Sequence, residues 1–312
     1  MKIGTFLSYK GLGANLLHLS YCHQIAKKFK PITLLTLCPN MKKVVKDDPL
    51  IKDIICIEKY YRRFFDIIKL GKILKKYELD YLFIFYPSPR LYLAAKYAGI
   101  KNVYSYPFFK KKKLHLVKAA KKFTEKTLKI NNCPTDTDLY ISEVNKKKAT
   151  EKIYKNKKNI IIGAGSSGPT QKWGTDNFIK LIKLIKQKKN SHFFILCGPN
   201  ESYIAENIIK EIGSEYCTSL SKNTIDEIVP LISVCDLYIG NDSFGHHVAS
   251  LCSKPSIIIL LDSPRAYSDW SAYQNRIIST DTTIDKINHG SYTSQNVVSV
   301  DQVFTKVLEF IE

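Results

Sequence analysis

Apolar residues in the first 130 positions follow two alternating patterns. Short runs that are apolar at nearly every position predict strands, and longer segments with apolar residues every three or four positions predict amphipathic helices. The runs cover residues 2–7, 32–37, 81–86 and 103–106, and the helical segments cover residues 15–29, 64–77, 90–98 and 114–130. Strands that are apolar on both faces belong in a parallel sheet covered by helices. The first half of the chain is therefore predicted to be an α/β domain.

The pattern fades in a lysine-rich stretch between residues 131 and 159 and then starts again. The second series predicts strands at residues 159–162, 191–197, 237–239 and 255–261, and helices at residues 175–186, 201–212, 224–234 and 244–252. Two such series joined by a linker predict two Rossmann-like, doubly wound α/β domains. We place them at residues 1–150 and 151–312, and we expect the last helix to pack back on the first domain.

The composition is that of a globular protein, with 45% hydrophobic and 24% charged residues. No stretch approaches the roughly 20 apolar residues that a membrane-spanning helix needs, and no long apolar segment follows the N-terminus, so we expect a cytoplasmic protein. The eight cysteines lack the paired spacing of a zinc ribbon or a disulfide framework. We interpret them as reduced side chains that pack as small apolar groups.

The net charge is unusual, because 48 lysines and arginines against 28 acidic residues leave +20. Such a chain attracts polyanions, and the candidates are nucleic acid, an anionic membrane face and a phosphorylated substrate. The lysines are spread over the predicted helices, and four of them also form a run at residues 110–113, beside the helix at 114–130. The charge alone does not choose among these partners.

Two glycine-containing loops each lie between a predicted strand and a predicted helix, at residues 10–14 and 163–173. Glycine lets a backbone turn approach a ligand at a helix N-terminus. In the second loop Ser166, Ser167 and then Lys172 could surround phosphate oxygens. The first loop lacks the third glycine of a dinucleotide fingerprint, and the second lacks the ending of a Walker A loop. Either loop could also be an ordinary turn.

A third segment, residues 235–249, combines a short strand, polar residues and the start of a helix. Asp242 or Ser243 could simply cap that helix. Two histidines in its first turn, His246 and His247, are harder to explain as capping. Because neighbouring residues on a helix point about 100° apart, we expect the two to be poor joint metal ligands, and we predict no metal site.

Together these motifs resemble glycosyltransferase family 9, the lipopolysaccharide heptosyltransferase-like enzymes of the GT-B fold. The resemblance rests on the Leu-Gly pair ending at Gly13, the loop carrying Lys172, the Gly-Pro-Asn-Glu stretch ending at Glu201, and the Gly-Asn-Asp-Ser run followed by His247. It covers nearly the whole chain. It implies two Rossmann-like domains facing a cleft, and metal-independent transfer of a heptose-like sugar, with inversion, to a lipopolysaccharide or other surface glycan.

For the donor diphosphate, the resemblance implies a positively charged loop and a helix N-terminus. Lys172, with Ser166 and Ser167, would neutralise the diphosphate and stabilise the charge that develops as it leaves. Backbone N–H groups from Ser243 to Gly245 would bind the remaining phosphate oxygens.

For the rest of the donor, the resemblance implies hydroxyl-binding carboxylates. Glu201 would accept hydrogen bonds from ribose hydroxyls, and Asp242 would hold sugar or ribose hydroxyls and count among the catalytic residues. Gly13 and His247 complete the predicted binding set. No cofactor is implied, since the nucleoside-diphosphate sugar is a co-substrate. The membrane-anchored acceptor implies peripheral association with the anionic inner membrane face.

The sequence departs from the family pattern where a general base is expected. The aspartate that commonly follows the Leu-Gly pair is Ala14 here, and the usual Gly-Pro after Asp-Ser is Phe244-Gly245. His18, one helical turn after Ala14, and Asp262, after a predicted strand, are the candidate bases. Two other functions stay open: a nucleotide-sugar-binding homologue that has lost catalysis, and a nucleic-acid-binding protein suggested only by the charge.

Overall fold

Each half of the chain forms a parallel β-sheet covered by helices. The computed structural model describes residues 1–57, 63, 65–107, 115–166, 172–287 and 297–312. These residues divide into two compact units, Met1–Tyr140 and Ile141–Glu312. Every strand pairing in the described residues is parallel. The prediction of two doubly wound α/β domains is confirmed.

The first unit has a five-stranded sheet in the order β3-β2-β1-β4-β5. Its strands are β1 (Ile3–Leu7), β2 (Ile32–Thr36), β3 (Ile51–Cys56), β4 (Tyr81–Ile84) and β5 (Asn102–Ser105). Its helices are α1 (Leu12–Leu16), α2 (Leu19–Lys28), α3 (Met41–Val44), α4 (Asp66–Lys75), α5 (Pro89–Tyr97) and α6 (Leu116–Leu128). All five residues of the central strand β1 are buried, which explains its mostly apolar sequence.

The second unit has a six-stranded sheet in the order β11-β10-β9-β6-β7-β8. Its strands are β6 (Lys158–Gly163), β7 (Ser191–Leu196), β8 (Cys217–Ser219), β9 (Leu237–Asn241), β10 (Ser256–Ile259) and β11 (Gln274–Ile277). Its helices are α7 (Glu143–Thr150), α8 (Thr175–Lys188), α9 (Ser202–Ile212), α10 (Ile225–Val234), α11 (Phe244–Leu251) and α12 (Val300–Ile311). The core contains apolar side chains of β6, β7, β9 and β10 together with those of α8, α9 and α12.

The strand orders place a topological switch point in each sheet. The chain moves outward from β1 through β2 and β3, then returns to add β4 on the other side of β1. In the second sheet it moves from β6 to β7 and β8, then returns to add β9 beside β6. In sheets of this kind ligands bind beyond the carboxyl ends of the strands at the switch point. A ligand site in the second unit is therefore expected in the region after β6 and β9.

The helix predicted at residues 15–29 is two helices, α1 and α2. The backbone N–H of His18 donates to Asn15 O, three residues back, over 3.0 Å. This tighter turn interrupts the α-helical spacing between the two helices. His18 is the N-cap of α2 and therefore does not lie on one continuous helix with Ala14.

Three strands that the apolar pattern did not predict lie at the edges of the sheets. They are β3 in the first sheet, and β8 and β11 in the second. An edge strand has one neighbour and more contact with solvent, so it tolerates polar residues and lacks a continuous apolar run. The sequence of β11, Gln-Asn-Arg-Ile, is an example.

The boundary between the units lies ten residues before the predicted one, between Tyr140 and Ile141 rather than between residues 150 and 151. Helix α7, which the sequence pattern missed, packs against α10 and so belongs to the second unit. Helix α12, expected to pack on the first domain, buries its apolar side against α8 and β10 of the second unit. Among the described residues, no helix is both long and apolar enough to cross a membrane.

Candidate functional site

The loops after β6 and β9 are joined by one buried amide side chain. Asn241, the last residue of β9, has no exposed surface. Its Oδ1 accepts a hydrogen bond from the backbone N–H of Trp173 over 2.9 Å, and its Nδ2 donates to Ala164 O over 2.8 Å. Both ends of the described loop that contains Lys172 are thus held beside the residue that precedes Asp242. The structure brings together two motifs that are about 70 residues apart in the sequence.

Glycines allow the strands and loops of this region to approach closely. A Cβ added to Gly240 would lie 2.5 Å from the Cα of Gly163 on the neighbouring strand. A Cβ added to Gly165 would lie 2.5 Å from Glu201 Oε2 and 2.7 Å from the Cα of Cys197. Both positions therefore require glycine for steric reasons. Gly165 thus lets the start of this loop lie against the turn after β7.

Lys172 and Glu201, both predicted donor ligands, form an ion pair through Nζ and Oε1. The other carboxylate oxygen, Oε2, accepts from the backbone N–H of Gly198 over 3.3 Å. The lysine side chain is 33% exposed and the glutamate side chain 14% exposed. An ion pair at this level of exposure can open to admit an anionic ligand at modest cost.

Of the two predicted serines in this loop, Ser166 is nearly buried, and Ser167 lies outside the described residues. At the start of α11, Ser243 directs its hydroxyl to within 3.0 Å of the Tyr238 hydroxyl instead of capping the helix. Tyr238 also packs against Gly245, where an added Cβ would lie 2.6 Å from its ring. The first amides of α11 are thus left for another acceptor, as expected for an anion site at a helix N-terminus.

Asp242 lies between the two histidines of α11. Its Oδ1 is 2.6 Å from His246 Nε2 and 4.0 Å from His247 Nε2, and all three side chains are buried. Burial alone would raise the pKa of Asp242, but the hydrogen bond from His246 and the two nearby imidazoles hold it below its ordinary value. Burial and the neighbouring His246 lower the pKa of His247 well below its usual value, although Asp242 acts in the opposite direction. The site therefore contains a carboxylate at neutral pH.

The two histidine rings are closer together than expected from their positions on the helix. Their centroids are 3.9 Å apart, and both Nε2 atoms are directed to Asp242. The ligand atoms of this cluster lie within 4.8 Å of one another. The expectation that the histidines diverge was therefore wrong, because side-chain rotation compensates for the angle between neighbouring helix positions.

The candidate base His18 has no exposed surface. Its Nδ1 lies 2.6 Å from Ala14 O and its Nε2 lies 3.3 Å from the Tyr106 hydroxyl, while its ring stacks on Tyr9. Burial lowers the pKa of His18 to about 4, although the hydrogen bond with Ala14 acts in the opposite direction. In this conformation an acceptor hydroxyl cannot reach the imidazole. The structure does not support His18 as the general base.

The remaining sequence candidates are placed as follows. Gly13 is the second residue of α1 and is half-buried, and Ala14 beside it is buried. Asp262, three residues after the end of β10, is 3% exposed. The lysine run at residues 110–113 lies outside the described residues.

A pocket that the sequence analysis missed lies at the carboxyl ends of the strands in the first unit. Its lining includes four polar side chains, Ser8, Asp66, Ser88 and Arg90. Asp66 begins α4, where its Oδ2 accepts from the backbone N–H of Arg63 over 2.7 Å, and Arg90 is the second residue of α5. Polar residues near the starts of predicted helices were the available signal. Their distance from one another in the sequence concealed the cluster.

Comparison with known proteins agrees with the fold and with the family that the sequence resembles. The sequence model of glycosyltransferase family 9 (heptosyltransferase) matches residues 94–289. Lipopolysaccharide heptosyltransferase 1 of Campylobacter coli is 30% identical over 141 residues, which cover 44% of this chain and 41% of that protein. Lipooligosaccharide heptosyltransferase 2 of Campylobacter jejuni is 27% identical over 232 residues, covering 71% of this chain and 69% of that protein.

The solved structure of the E. coli ADP-heptose lipopolysaccharide heptosyltransferase II superimposes with a TM-score of 0.75. It is 16% identical, and the superposition covers 100% of this chain and 98% of that one. At this identity the structural likeness supports the fold, two Rossmann-like domains of the GT-B type.

Proposed function

Because the chain belongs to glycosyltransferase family 9, we propose that it transfers a heptose or a related sugar from a nucleoside-diphosphate donor to a lipopolysaccharide or other surface glycan. The observation that carries the proposal is the charged site at the switch point of the second sheet. There Asn241 holds the loop of Lys172, which forms an ion pair with Glu201, and Asp242 follows Asn241 directly in the sequence. A nucleoside-diphosphate sugar offers complementary groups, since it carries phosphate oxygens and hydroxyl donors.

In this proposal one site contains positive groups that bind the diphosphate of the donor and carboxylates that bind its hydroxyls. Lys172 and the first amides of α11 attract the diphosphate. Glu201 and Asp242, which accept hydrogen bonds, bind ribose and sugar hydroxyls. When the diphosphate is bound, Lys172 can remain beside Glu201 and still face a phosphate oxygen, because a lysine ammonium has three N–H donors.

The proposed reaction inverts the anomeric carbon. The oxygen of the acceptor hydroxyl forms a bond to the anomeric carbon as the bond from that carbon to the diphosphate oxygen breaks. The proton of the hydroxyl passes to a base. The leaving diphosphate gains negative charge, which Lys172 and the amides of α11 would stabilise. We include metal independence in the proposal because these groups can balance that charge. Metal independence is also supported by the hydrogen bond between His246 and Asp242.

The pocket of the first unit is our candidate for the acceptor hydroxyl. Asp66 supplies a carboxylate to its lining, and Arg90 supplies a positive charge suited to an acidic glycan. We propose Asp66 as the general base, in place of the residue that the sequence lacks at Ala14. It is half-buried, whereas His18 is fully buried.

We also propose that the protein works in the cytoplasm at an anionic membrane face, because the proposed acceptor is membrane-anchored. Helix α6 presents exposed lysines at four-residue spacing, Lys118, Lys122 and Lys126. Beside them a largely apolar groove between β5 and α6 is lined by aromatic side chains that include Tyr104 and Phe123. Lysines beside apolar surface favour reversible binding to anionic lipid.

A second candidate function is a nucleotide-sugar-binding protein without transfer activity. The observation that favours it is the buried Ala14 at the expected position of the base, together with the buried His18. The two functions share the donor site and differ only in the acceptor step.

A donor and acceptor screen tests the proposal. The purified chain is incubated with a panel of nucleoside-diphosphate sugars that includes ADP-heptose, with and without a membrane-glycan extract, and released nucleoside diphosphate and glycosylated product are measured. We expect release that depends on the extract for one donor. Donor binding without product would support the binding homologue, and no binding to any donor would contradict both functions.

A further inference from the structure

Gln274 has only one amide orientation that satisfies its backbone neighbours. Its Oε1 lies 3.1 Å from the backbone N of Trp270 and 3.4 Å from that of Ser271, and both groups can only donate. Its Nε2 lies 3.2 Å from Tyr267 O, which can only accept. Oxygen must therefore face Trp270 and Ser271, and the NH₂ group must face the other side.

The orientation of Gln274 determines the tautomer of His246. Gln274 Nε2 lies 3.3 Å from His246 Nδ1, so this nitrogen has to accept and carries no proton. The ring proton is then on Nε2, which donates to Asp242 Oδ1 over 2.6 Å. His246 has no exposed surface, so water cannot easily replace either partner. Two successive hydrogen bonds with fixed direction thus run from Gln274 to His246 and from His246 to Asp242.

We propose that Gln274 and His246 act as positioning residues that hold Asp242 in place for the hydroxyls of the nucleoside-diphosphate sugar. This inference rests on the proposed function, because it takes Asp242 to be a donor-binding residue. With Oδ1 bound to His246, the carboxylate cannot rotate freely, and in this proposal Oδ2 is the oxygen that would accept from the donor hydroxyls. A buried hydrogen-bonded partner of this kind orients a binding group as the outer partners of metal ligands do.

The same two hydrogen bonds distinguish this arrangement from a metal site. A histidine that ligates a metal through Nε2 needs its proton on Nδ1, where a second group accepts it. Gln274 offers an NH₂ group at that place instead. The contacts of Gln274 therefore favour a hydrogen bond, rather than a shared metal, between His246 and Asp242.

Paired variants distinguish positioning from a purely structural role. His246→Met removes the N–H with little change in volume, whereas His246→Gln can place an amide N–H near the position of Nε2. We expect His246→Met to bind the donor about tenfold more weakly, the loss of about one charge-assisted hydrogen bond. His246→Gln should recover most of that affinity. Calorimetry with ADP-heptose and a thermal melt are run on each protein.

A spectroscopic measurement tests the tautomer without any substrate. Imidazole ¹⁵N NMR of the parent should show His246 protonated at Nε2 and unprotonated at Nδ1. Gln274→Glu presents a carboxylate oxygen to Nδ1, so we expect Nδ1 to become protonated in that variant. A parent spectrum with Nδ1 protonated would overturn the proposal even if no His246 variant folds.

The binding results separate this proposal from the proposed function. If the parent binds ADP-heptose and His246→Met binds it equally well while melting earlier, the contact is structural and the positioning role is wrong. If the parent binds no member of a nucleoside-diphosphate-sugar panel, the donor site is wrong, and both proposals fail. Weaker binding by His246→Met with recovery in His246→Gln supports the positioning role.

Discussion

The side chain of Asn241 accepts the backbone N–H of Trp173 over 2.9 Å, and this bond fixes the loop of Lys172 to the end of β9. A similar arrangement holds the loop after β1 in the first unit. There Asn15 donates to Tyr9 O over 3.0 Å and accepts from Thr36 Oγ1 over 2.8 Å, which ties the loop after β1 to β2. In both units a buried amide satisfies backbone groups that no strand partner reaches.

Asn241→Ala should destabilise the second unit. It leaves the buried N–H of Trp173 and the carbonyl of Ala164 without their partner, at about 1–3 kcal/mol for each group. We expect the free energy of unfolding to fall by about 2–4 kcal/mol, measured by urea titration. Asn190→Ala, which removes an exposed bond to Asn156 O at 3.2 Å, is the control and should change it by less than about 0.5 kcal/mol. Equal stability of the two variants would contradict the role given to Asn241.

Lys172→Ala should weaken binding of a nucleoside diphosphate by about 1–3 kcal/mol, because a charge-assisted contact to phosphate is lost. Isothermal calorimetry of parent and variant measures the difference. Lys183→Ala is a matched control, since Lys183 forms an exposed ion pair with Glu211 at 3.4 Å on the outer surface of α8. The assignment of Lys172 fails if its variant and the control bind with the same affinity.

The identity of the base can be tested by substitutions in the first unit. A positioned base contributes about 10² to 10⁴ in rate, so we expect Asp66→Asn to reduce transfer by about that factor. His18→Asn should keep most of the activity, because the imidazole does not reach the acceptor. Initial rates of transfer with the donor and acceptor found in the screen measure both effects.

Asp53→Asn, at an exposed position on β3, is the control for loss of a carboxylate. The proposal for Asp66 is wrong if Asp66→Asn transfers as fast as this control. If only Ala14→Asp is active, the natural chain is better described as a binding homologue.

The stability of the first unit should depend on pH through His18. The pKa of His18 is about 4 in the folded chain and about 6.5 when unfolded, because burial disfavours the charged ring. Between these values the unfolded chain binds a proton that the folded chain does not. The free energy of unfolding should therefore fall as the pH is lowered from about 6.5 to about 4, by up to about 3 kcal/mol from this residue.

His18→Asn removes the titrating ring and can keep a donor to Ala14 O. Urea titrations of both proteins at several pH values should show a smaller pH dependence for this variant between pH 6.5 and 4. Comparison at pH 7.5, where His18 is neutral in both states, gives the packing cost of the substitution separately. Parallel pH profiles would show that His18 does not titrate with the expected shift.

The lysines of α6 should govern binding to anionic lipid. At about 1 kcal/mol for each well-placed lysine, replacing Lys118, Lys122 and Lys126 by glutamine should weaken vesicle binding about 100-fold at low salt. Sedimentation with vesicles of phosphatidylglycerol and phosphatidylcholine measures this, and added salt should weaken binding by the parent. Lys180, Lys183 and Lys188 of α8, replaced together, form the control. The surface is wrongly placed if both triple variants bind equally.

The order of apolar runs was enough to predict two doubly wound domains. The central strands β1, β6 and β7 were predicted because nearly all of their residues are buried, which favours apolar residues at most positions. The local motifs around Lys172, Glu201 and Asp242 were visible as well, because each one is a contiguous stretch that follows a strand. The edge strands β3, β8 and β11 were missed because solvent relaxes the demand for apolar residues, whereas β5, also at an edge, was predicted.

The sequence by itself determined which polar groups follow the strands and which apolar faces form the cores. Tertiary structure decided which of those groups meet. Only strand order brings the loop of Lys172 beside Asn241, and only packing excludes His18 from solvent. Only the connection between β10 and β11 brings Gln274 to His246. These relationships join residues far apart in the chain, or depend on a rotamer. Periodicity and spacing, which are local properties of the sequence, therefore cannot reveal them.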